Sequence, residues 1–196
     1  MMAVKQVQMG TLMRDVLGES YISLELRGVE YEDDITAGRA SLVAVVVEKR
    51  TGVERRVSGE GVGLVSVAFN ALVETFVDEY PSLANLRFHS FSLEGAAETE
   101  QGSPGIDSQK TAHFAVDNQV GYTFRFTATS RSIRTSCLQV TLAAVEYFVN
   151  SELSFFRVRG FLDEAKVKNR PDLVERYTQM LTQIVMNSLY SGSIEK

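Results

Sequence analysis

The sequence has no tryptophan, one cysteine, two histidines and three prolines in 196 residues. The lone cysteine, Cys137, excludes an internal disulfide and fits a reducing compartment. One cysteine and two histidines on separate segments, His89 and His113, leave no ligand cluster at metal spacing, so no metal or other cofactor is expected. No apolar run reaches the length of a membrane span. The first twenty residues lack a charged segment followed by an apolar one, so they do not read as a secretion signal. Positive charge is not in excess: 20 Lys and Arg stand against 25 Asp and Glu. A net charge of −5 gives no footprint for nucleic acid or for an anionic membrane surface. No serine occupies a G-x-S-x-G elbow. The expectation is a cytoplasmic protein that is not an enzyme when the chain stands alone. The missing tryptophan and the scarce proline decide nothing about function.

What is present is ordinary globular material, 44% hydrophobic and 23% charged, enough to build a core for one domain or two small ones. Residues 1–20 are mixed, with a short helix around Leu12–Leu17 or poor order as the two readings. Residues 21–26 alternate apolar and polar, as a half-buried strand does. Glu30–Gly38 reads as an acidic loop. Ala40–Glu48 is rich in β-branched residues and reads as a central strand. Lys49–Gly52 marks a hairpin turn, and Val53–Ser58 returns. The loop Gly59-Glu60-Gly61-Val62-Gly63 follows. Val62–Asp78 then reads as a helix apolar on more than one face, stopped at Tyr80-Pro81.

The order then repeats. Leu86–Leu93 and Lys110–Val116 read as strands on either side of a glycine-bearing loop over 95–108. Gly121–Ala128 is a third strand, and Ser132–Asn150 a second broadly apolar helix. Ala71–Val77 (ALVETFV) matches Ala143–Val149 (AAVEYFV). The fold class read from this pattern is α+β: two tandem β-β-β-α units over 21–150, after an N-terminal arm over 1–20 and before a helical extension over 151–196. Helices apolar all round must be buried all round, either by stacking on each other or under a second chain, so a homodimer is expected. In the extension, Gly160–Lys168 reads as a short helix. Asn169-Arg170-Pro171-Asp172 starts an amphipathic helix reaching about Leu189, which lacks the basic face of a membrane-surface helix.

The glycine loop matches neither a dinucleotide fingerprint nor a phosphate-binding loop: Ser66 stands at the third glycine position, and no Gly-Lys-Ser/Thr follows. Its simplest reading is a tight strand-to-helix junction. Helix-start N–H groups there also attract a carboxylate. At the second helix start, Ser130 or Ser132 is a good cap. Arg131 and Arg134 oppose the helix dipole there; they either reach solvent or pair with an anion or a partner's acids. His89 and His113 read as ordinary strand residues, Cys137 as a small core residue, and Glu94, Glu98, Glu100 and Asp107 as solvated acids.

Two stretches carry a resemblance: Ser58–Leu72 (SGEGVGLVSVAFNAL), and Thr127-Ala128-Thr129-Ser130-Arg131-Ser132-Ile133 with the helix after it. Over roughly Tyr21–Asn150 the chain resembles the C-terminal regulatory (dimerisation) domain of 2-isopropylmalate synthase and citramalate synthase. The resemblance implies a non-catalytic dimeric regulatory domain, free-standing or part of a longer chain, acting on a synthase catalytic subunit in amino-acid (leucine) biosynthesis. It also implies an allosteric site for a branched-chain amino acid or another small carboxylate near the helix starts. By position that site takes Gly61, Gly63, Leu64, Ala68, Phe88, Ser130, Ser132 and Ile133; Arg131 and Arg134 are not part of the family's pattern and would be anion contacts only on their own charge at the helix start. The family's G-x-G-Pro-Val-Asp has Leu64 and Ser66 here, and its Ser-Thr-Asp turn is Ser130-Arg131-Ser132. The changes leave the effector's amino group without its usual acids. The family's catalytic barrel has no counterpart among these residues. The alternative expectation is a structural dimerisation or scaffold protein whose effector site has decayed.

Overall fold

A computed structural model describes residues 2–95, 109–119 and 121–186. Six strands form two antiparallel three-stranded sheets, β1-β2-β3 and β4-β5-β6, in an α+β fold. The first unit is β1 (Leu24–Asp34), β2 (Arg39–Glu48), β3 (Glu54–Gly61) and α2 (Leu64–Phe76). The second is β4 (Arg87–Gly95), β5 (Lys110–Asp117), β6 (Thr123–Ser130) and α3 (Ile133–Val167). Helix α1 (Met2–Leu17) precedes the pair and α4 (Pro171–Met186) follows it.

The tandem β-β-β-α order stands, and several boundaries move. The acidic loop expected over 30–38 is mostly strand: β1 runs to Asp34, and the turn occupies 35–38 with Gly38 at φ +63°. A bulge between Leu26 and Gly28 hides this in the sequence. It shifts the alternation by one residue, so that Val29 and Tyr31 are half-buried while Glu32 is exposed. The β2–β3 hairpin falls where expected, with Gly52 at φ +71°. The acids Glu98, Glu100 and Asp107, and the end of the last helix near Leu189, lie outside the described residues.

The two repeats correspond closely in their sheets. The bulge at Leu26/Gly28 has its counterpart at Phe88/Ser90 in β4. Gly61 pairs with Ala40 as Ser130 pairs with Lys110, each at the end of the third strand. The helices do not correspond in the register of the text match. Ala71 stands eight residues beyond the cap Gly63, whereas Ala143 stands eleven beyond the cap Ser132. The difference of three is nearly one helical turn, so the two segments present similar faces at different heights.

Helices α2 and α3 pack against each other; α3 contacts both sheets, and α2 packs on the first and reaches the second through Phe69. Phe69 of α2 meets Phe114 of β5 with ring centroids 5.1 Å apart. Phe148 of α3 meets Phe124 of β6 at 5.0 Å, edge to face. Val140, Ala144, Val145, Phe148 and Val149 are inaccessible to solvent, and Cys137 lies in the same core as a small apolar residue. Helix stacking within one chain therefore buries much of both apolar helices.

Of the two readings of the N-terminal arm the helix holds, and it is longer than Leu12–Leu17: α1, whose Met9, Met13 and Leu17 recur every fourth residue, buries one stripe against α3. The expected break after residue 150 does not occur. Helix α3 is continuous for 35 residues, about 52 Å at 1.5 Å per residue, and absorbs the separate short helix read at 160–168. It ends where Asn169 takes the left-handed conformation at φ +51° and Arg170 N–H bonds Ala165 O at 3.0 Å. Pro171 then opens α4, which folds back along α3; Ile184 is fully buried and Tyr177 stacks on Phe161 at 5.6 Å.

Candidate functional site at the paired helix starts

The junction between β3 and α2 is built by glycines with different jobs. A Cβ on Gly59 would stand 2.8 Å from the Ala71 Cβ, and one on Gly61 would stand 3.2 Å from Val67 Cγ2. Those two let the strand approach the helix closely. Gly63 has open space around it but takes φ +81°, which an L side chain resists. It is the N-cap of α2, and no side chain caps that helix. Gly59, Glu60 and Gly61 therefore belong to the strand, and only 62–63 form the connection.

The second start is capped. Ser132 Oγ accepts the Thr135 N–H at 3.3 Å, while Ser130 Oγ accepts the Ser132 N–H at 3.1 Å. Of the two candidate caps, Ser132 is the one used. Ser136, one turn on, donates to Lys110 O at 2.8 Å and fastens the helix start to β5. Arg131 and Arg134 are exposed, and among the described residues neither joins an ion pair.

Strand directions place the two starts at one end of the molecule. β1 and β3 are parallel, because each is antiparallel to β2. α2 runs back along β3, with Val67 beside Gly61, Ala71 beside Gly59, and Phe76 under the Arg55 guanidinium. α3 runs back along β1: Glu146 accepts the Leu24 N–H at 2.7 Å, and near its start Arg134 lies close enough to act on the Tyr31 phenol. The helices are therefore parallel, with both positive dipole ends beside the β1–β2 turn. Val62 and Ile133 are exposed there, and Leu64 is half-buried. Tyr31 donates to Asp33 Oδ2 at 3.4 Å at the same end. Desolvation first, then the Asp33 charge and hydrogen bond, raise the Tyr31 phenol above its ordinary value.

Eight of the ten residues singled out in the sequence, Gly61, Gly63, Leu64, Ser130, Arg131, Ser132, Ile133 and Arg134, share this end. Two are corrected. Ala68 is buried, because it stands on the side of α2 that packs into the core. Phe88 lies at the opposite end of its sheet: it pairs with Val116, whereas the α3 start adjoins Lys110. It leans on Phe114 at 5.9 Å and remains 57% exposed, because it sits on an edge strand.

A second constellation was not singled out in the sequence. A cavity of about 450 Å³ lies between α1, the edge of β6 and α3. Arg14, Tyr21, Phe126, Glu146 and Tyr147 line it. The Arg14 guanidinium lies 5.0 Å over the Tyr21 ring. Burial raises the Glu146 carboxyl above its ordinary value, against the lowering effects of the Leu24 N–H, the Arg14 and Lys49 charges and a Tyr21 hydrogen bond. Burial likewise raises the Tyr147 phenol, with the nearby Tyr21 adding to it. No local motif marks these residues, since they come from three separated segments.

Among the described residues no helix is long and apolar enough to cross a membrane, and no three His, Cys, Asp or Glu side chains gather as a metal site. Comparison with protein-family models and with curated proteins finds no match.

Proposed function

We propose that the chain is a dimeric, non-catalytic regulatory domain that binds a small carboxylate at the paired helix starts, in the manner of the leucine- or isoleucine-sensing domain it resembles. The observation that carries this reading is the parallel arrangement of α2 and α3. Two helix N-termini at one end offer N–H groups and aligned dipoles to one anion. Arg131 and Arg134 add exposed positive charge. Val62, Leu64 and Ile133 supply apolar surface for a branched tail. Ser66 and Ser132 stand where the family has acids, and Asp33, at the same end, can receive the effector's ammonium in their place. In this reading the chain acts on a synthase catalytic subunit, in trans or within a longer polypeptide.

Calorimetry with leucine, isoleucine, valine and their 2-oxo acids tests it. Binding that is lost in a doubly substituted Arg131→Ala, Arg134→Ala variant supports the site. No heat from any of them at millimolar concentration sinks it.

A structural dimerisation role is the second reading, favoured by β4. Phe88 and Leu93 are 57% and 43% exposed on an edge strand of sheet two. An open apolar edge of this kind pairs readily with another chain. Sedimentation showing a monomer at micromolar concentration would remove the dimer from both readings.

A further inference from the structure

We propose that the cavity between α1, β6 and α3 is a binding site for a small organic cation, an ammonium carried on an aromatic or aliphatic body. It is independent of the helix-start site: Glu146 lies twelve residues beyond Arg134 on α3, about 18 Å along the helix axis.

The walls define the ligand's chemistry. Met13 and Phe126 are buried apolar side chains with one surface on the cavity, and Val7 and Ala143 stand at its rim. Tyr21, Tyr147 and Phe126 bring three aromatic rings to it. A cation is drawn to such ring faces. Glu146 supplies the acid. Its Oε2 already accepts the Leu24 N–H at 2.7 Å, which holds the carboxyl in place. A partly buried carboxylate is stabilised by a positive partner, so a cation is the charge this cavity rewards.

The β6 edge adds acceptors. Tyr122 and Asn118 bond across the hairpin, so the backbone groups of Thr123 and Arg125, offset by odd steps, point away from β5. Gln6 of α1 confirms that direction: its amide donates to Arg125 O at 2.9 Å and accepts the Arg125 N–H at 3.2 Å. Arg125 also lines the cavity, through the backbone edge that Gln6 bonds. Phe124 and Phe126 face α3, so by strand alternation Arg125 faces the other side of the sheet, where Thr123 bonds Asp117. Among the other lining residues the positive charge is Arg14, and Lys49 acts on Glu146 from the β2–β3 turn. Arg14 lies over Tyr21 and within electrostatic reach of Glu146, so it already occupies the role that a ligand cation would take.

That arrangement makes an opposite-sign test available. Phenethylamine and 3-phenylpropionate, alike in shape and opposite in charge, are titrated calorimetrically into the full chain at pH 7.5. The amine is expected to bind and the acid not to. Glu146→Gln, whose amide oxygen can still accept the Leu24 N–H, should weaken the amine at least tenfold. Arg14→Ala should strengthen it severalfold, because the resident cation is gone. Gly10→Leu, on a helix position with nothing within 4 Å of its Cβ, fills the cavity from α1 and should abolish binding even if Glu146→Gln fails to fold. The proposal is overturned if the amine does not bind at millimolar concentration, if the acid binds as well as the amine, if Arg14→Ala weakens the amine, or if either Glu146→Gln or Gly10→Leu, once folded, leaves amine binding unchanged. The helix-start reading is tested by other ligands and other variants, so either can fail alone.

Discussion

Asn150 binds both backbone groups of Ile22: its Oδ1 accepts the Ile22 N–H at 2.8 Å and its Nδ2 donates to the Ile22 carbonyl at 2.8 Å. One turn earlier on the same helix, Glu146 takes the N–H of Leu24. Glu152 takes the N–H of Ser82 at 3.1 Å. Polar side chains of α3 thus satisfy backbone groups of the segments laid across it. Asn150→Ala would leave the Ile22 N–H and carbonyl without these partners in a half-buried setting, at about 1–3 kcal/mol for a stranded polar group. Denaturant unfolding should report a loss of that size, and hydrogen exchange should show Ile22 protected less than in the parent. An unchanged midpoint would mean that water replaces the side chain without cost.

Two glycines of the same junction should respond differently. Gly59→Ala drives a methyl to 2.8 Å from the Ala71 Cβ, and overpacking of this kind costs about 1–3 kcal/mol. Adding Ala71→Gly should recover part of that, net of about 1 kcal/mol for glycine in a helix. Gly63→Ala meets no neighbour but must hold φ +81°, a strain of about 1–3 kcal/mol that no second-site trimming relieves. Double-mutant cycles on denaturation midpoints separate the two: coupling to Ala71 is expected for Gly59 and absent for Gly63.

Glu146 gives stability a defined pH dependence. Its folded-state pKa lies above its ordinary 4.5, so the folded chain holds the proton more tightly than the unfolded chain. The resulting contribution is fully present below pH 4.5 and is lost as pH rises through the folded pKa. Arg14 of α1, Lys49 of the β2–β3 turn and Tyr21 act on it, and Tyr147 and Arg125 line the same cavity. Glu146→Gln should flatten this part of the stability profile between pH 4.5 and 8 in urea melts. A variant whose profile parallels the parent's would place the effect elsewhere.

Asp117 has the opposite sign. Hydrogen bonds from Thr123 and His89 lower its carboxyl below the ordinary 3.8. The stability it contributes is present above pH 3.8 and disappears as pH falls through the folded value. Asp117→Asn should therefore matter less at pH 2.5 than at pH 7. Equal destabilisation at both would point to lost hydrogen bonds with no part played by charge.

The turn between α3 and α4 rests on one backbone conformation. Asn169 is the non-glycine residue with positive φ among those described. Asn169→Gly should be neutral or slightly stabilising, whereas Asn169→Val should cost about 1–2 kcal/mol. Thermal melts of the two variants that move in the same direction would contradict this account of the turn.

Alternation and turn chemistry were sufficient to read the repeated strand order and the Lys49–Gly52 hairpin, because both depend on residues adjacent in the chain. The glycine-to-helix junction was legible for the same reason: Gly63 is needed for its own φ. Where a tertiary contact overrides the local pattern, the sequence misled. The bulge at Leu26/Gly28 broke the alternation and made strand look like loop. The serines and charged residues after Asn150 looked like the end of a helix. Ser151, Glu152 and Ser154 are nevertheless buried within α3, where the Ser82 N–H bonds Glu152 and α4 folds back on the helix. Phe88 matched by order of elements, but only strand pairing shows that it lies at the far end from the helix starts.

The amino-acid sequence by itself determined an α+β chain of two β-β-β-α units with special helix starts, since periodicity and glycine placement act over a few residues. The tertiary structure alone decided that the two starts lie together with parallel dipoles. It alone brought Arg14, Tyr21, Glu146 and Tyr147 to one cavity. Both results depend on strand direction and on contacts between residues more than a hundred positions apart, and no local preference of the chain encodes a meeting at that distance.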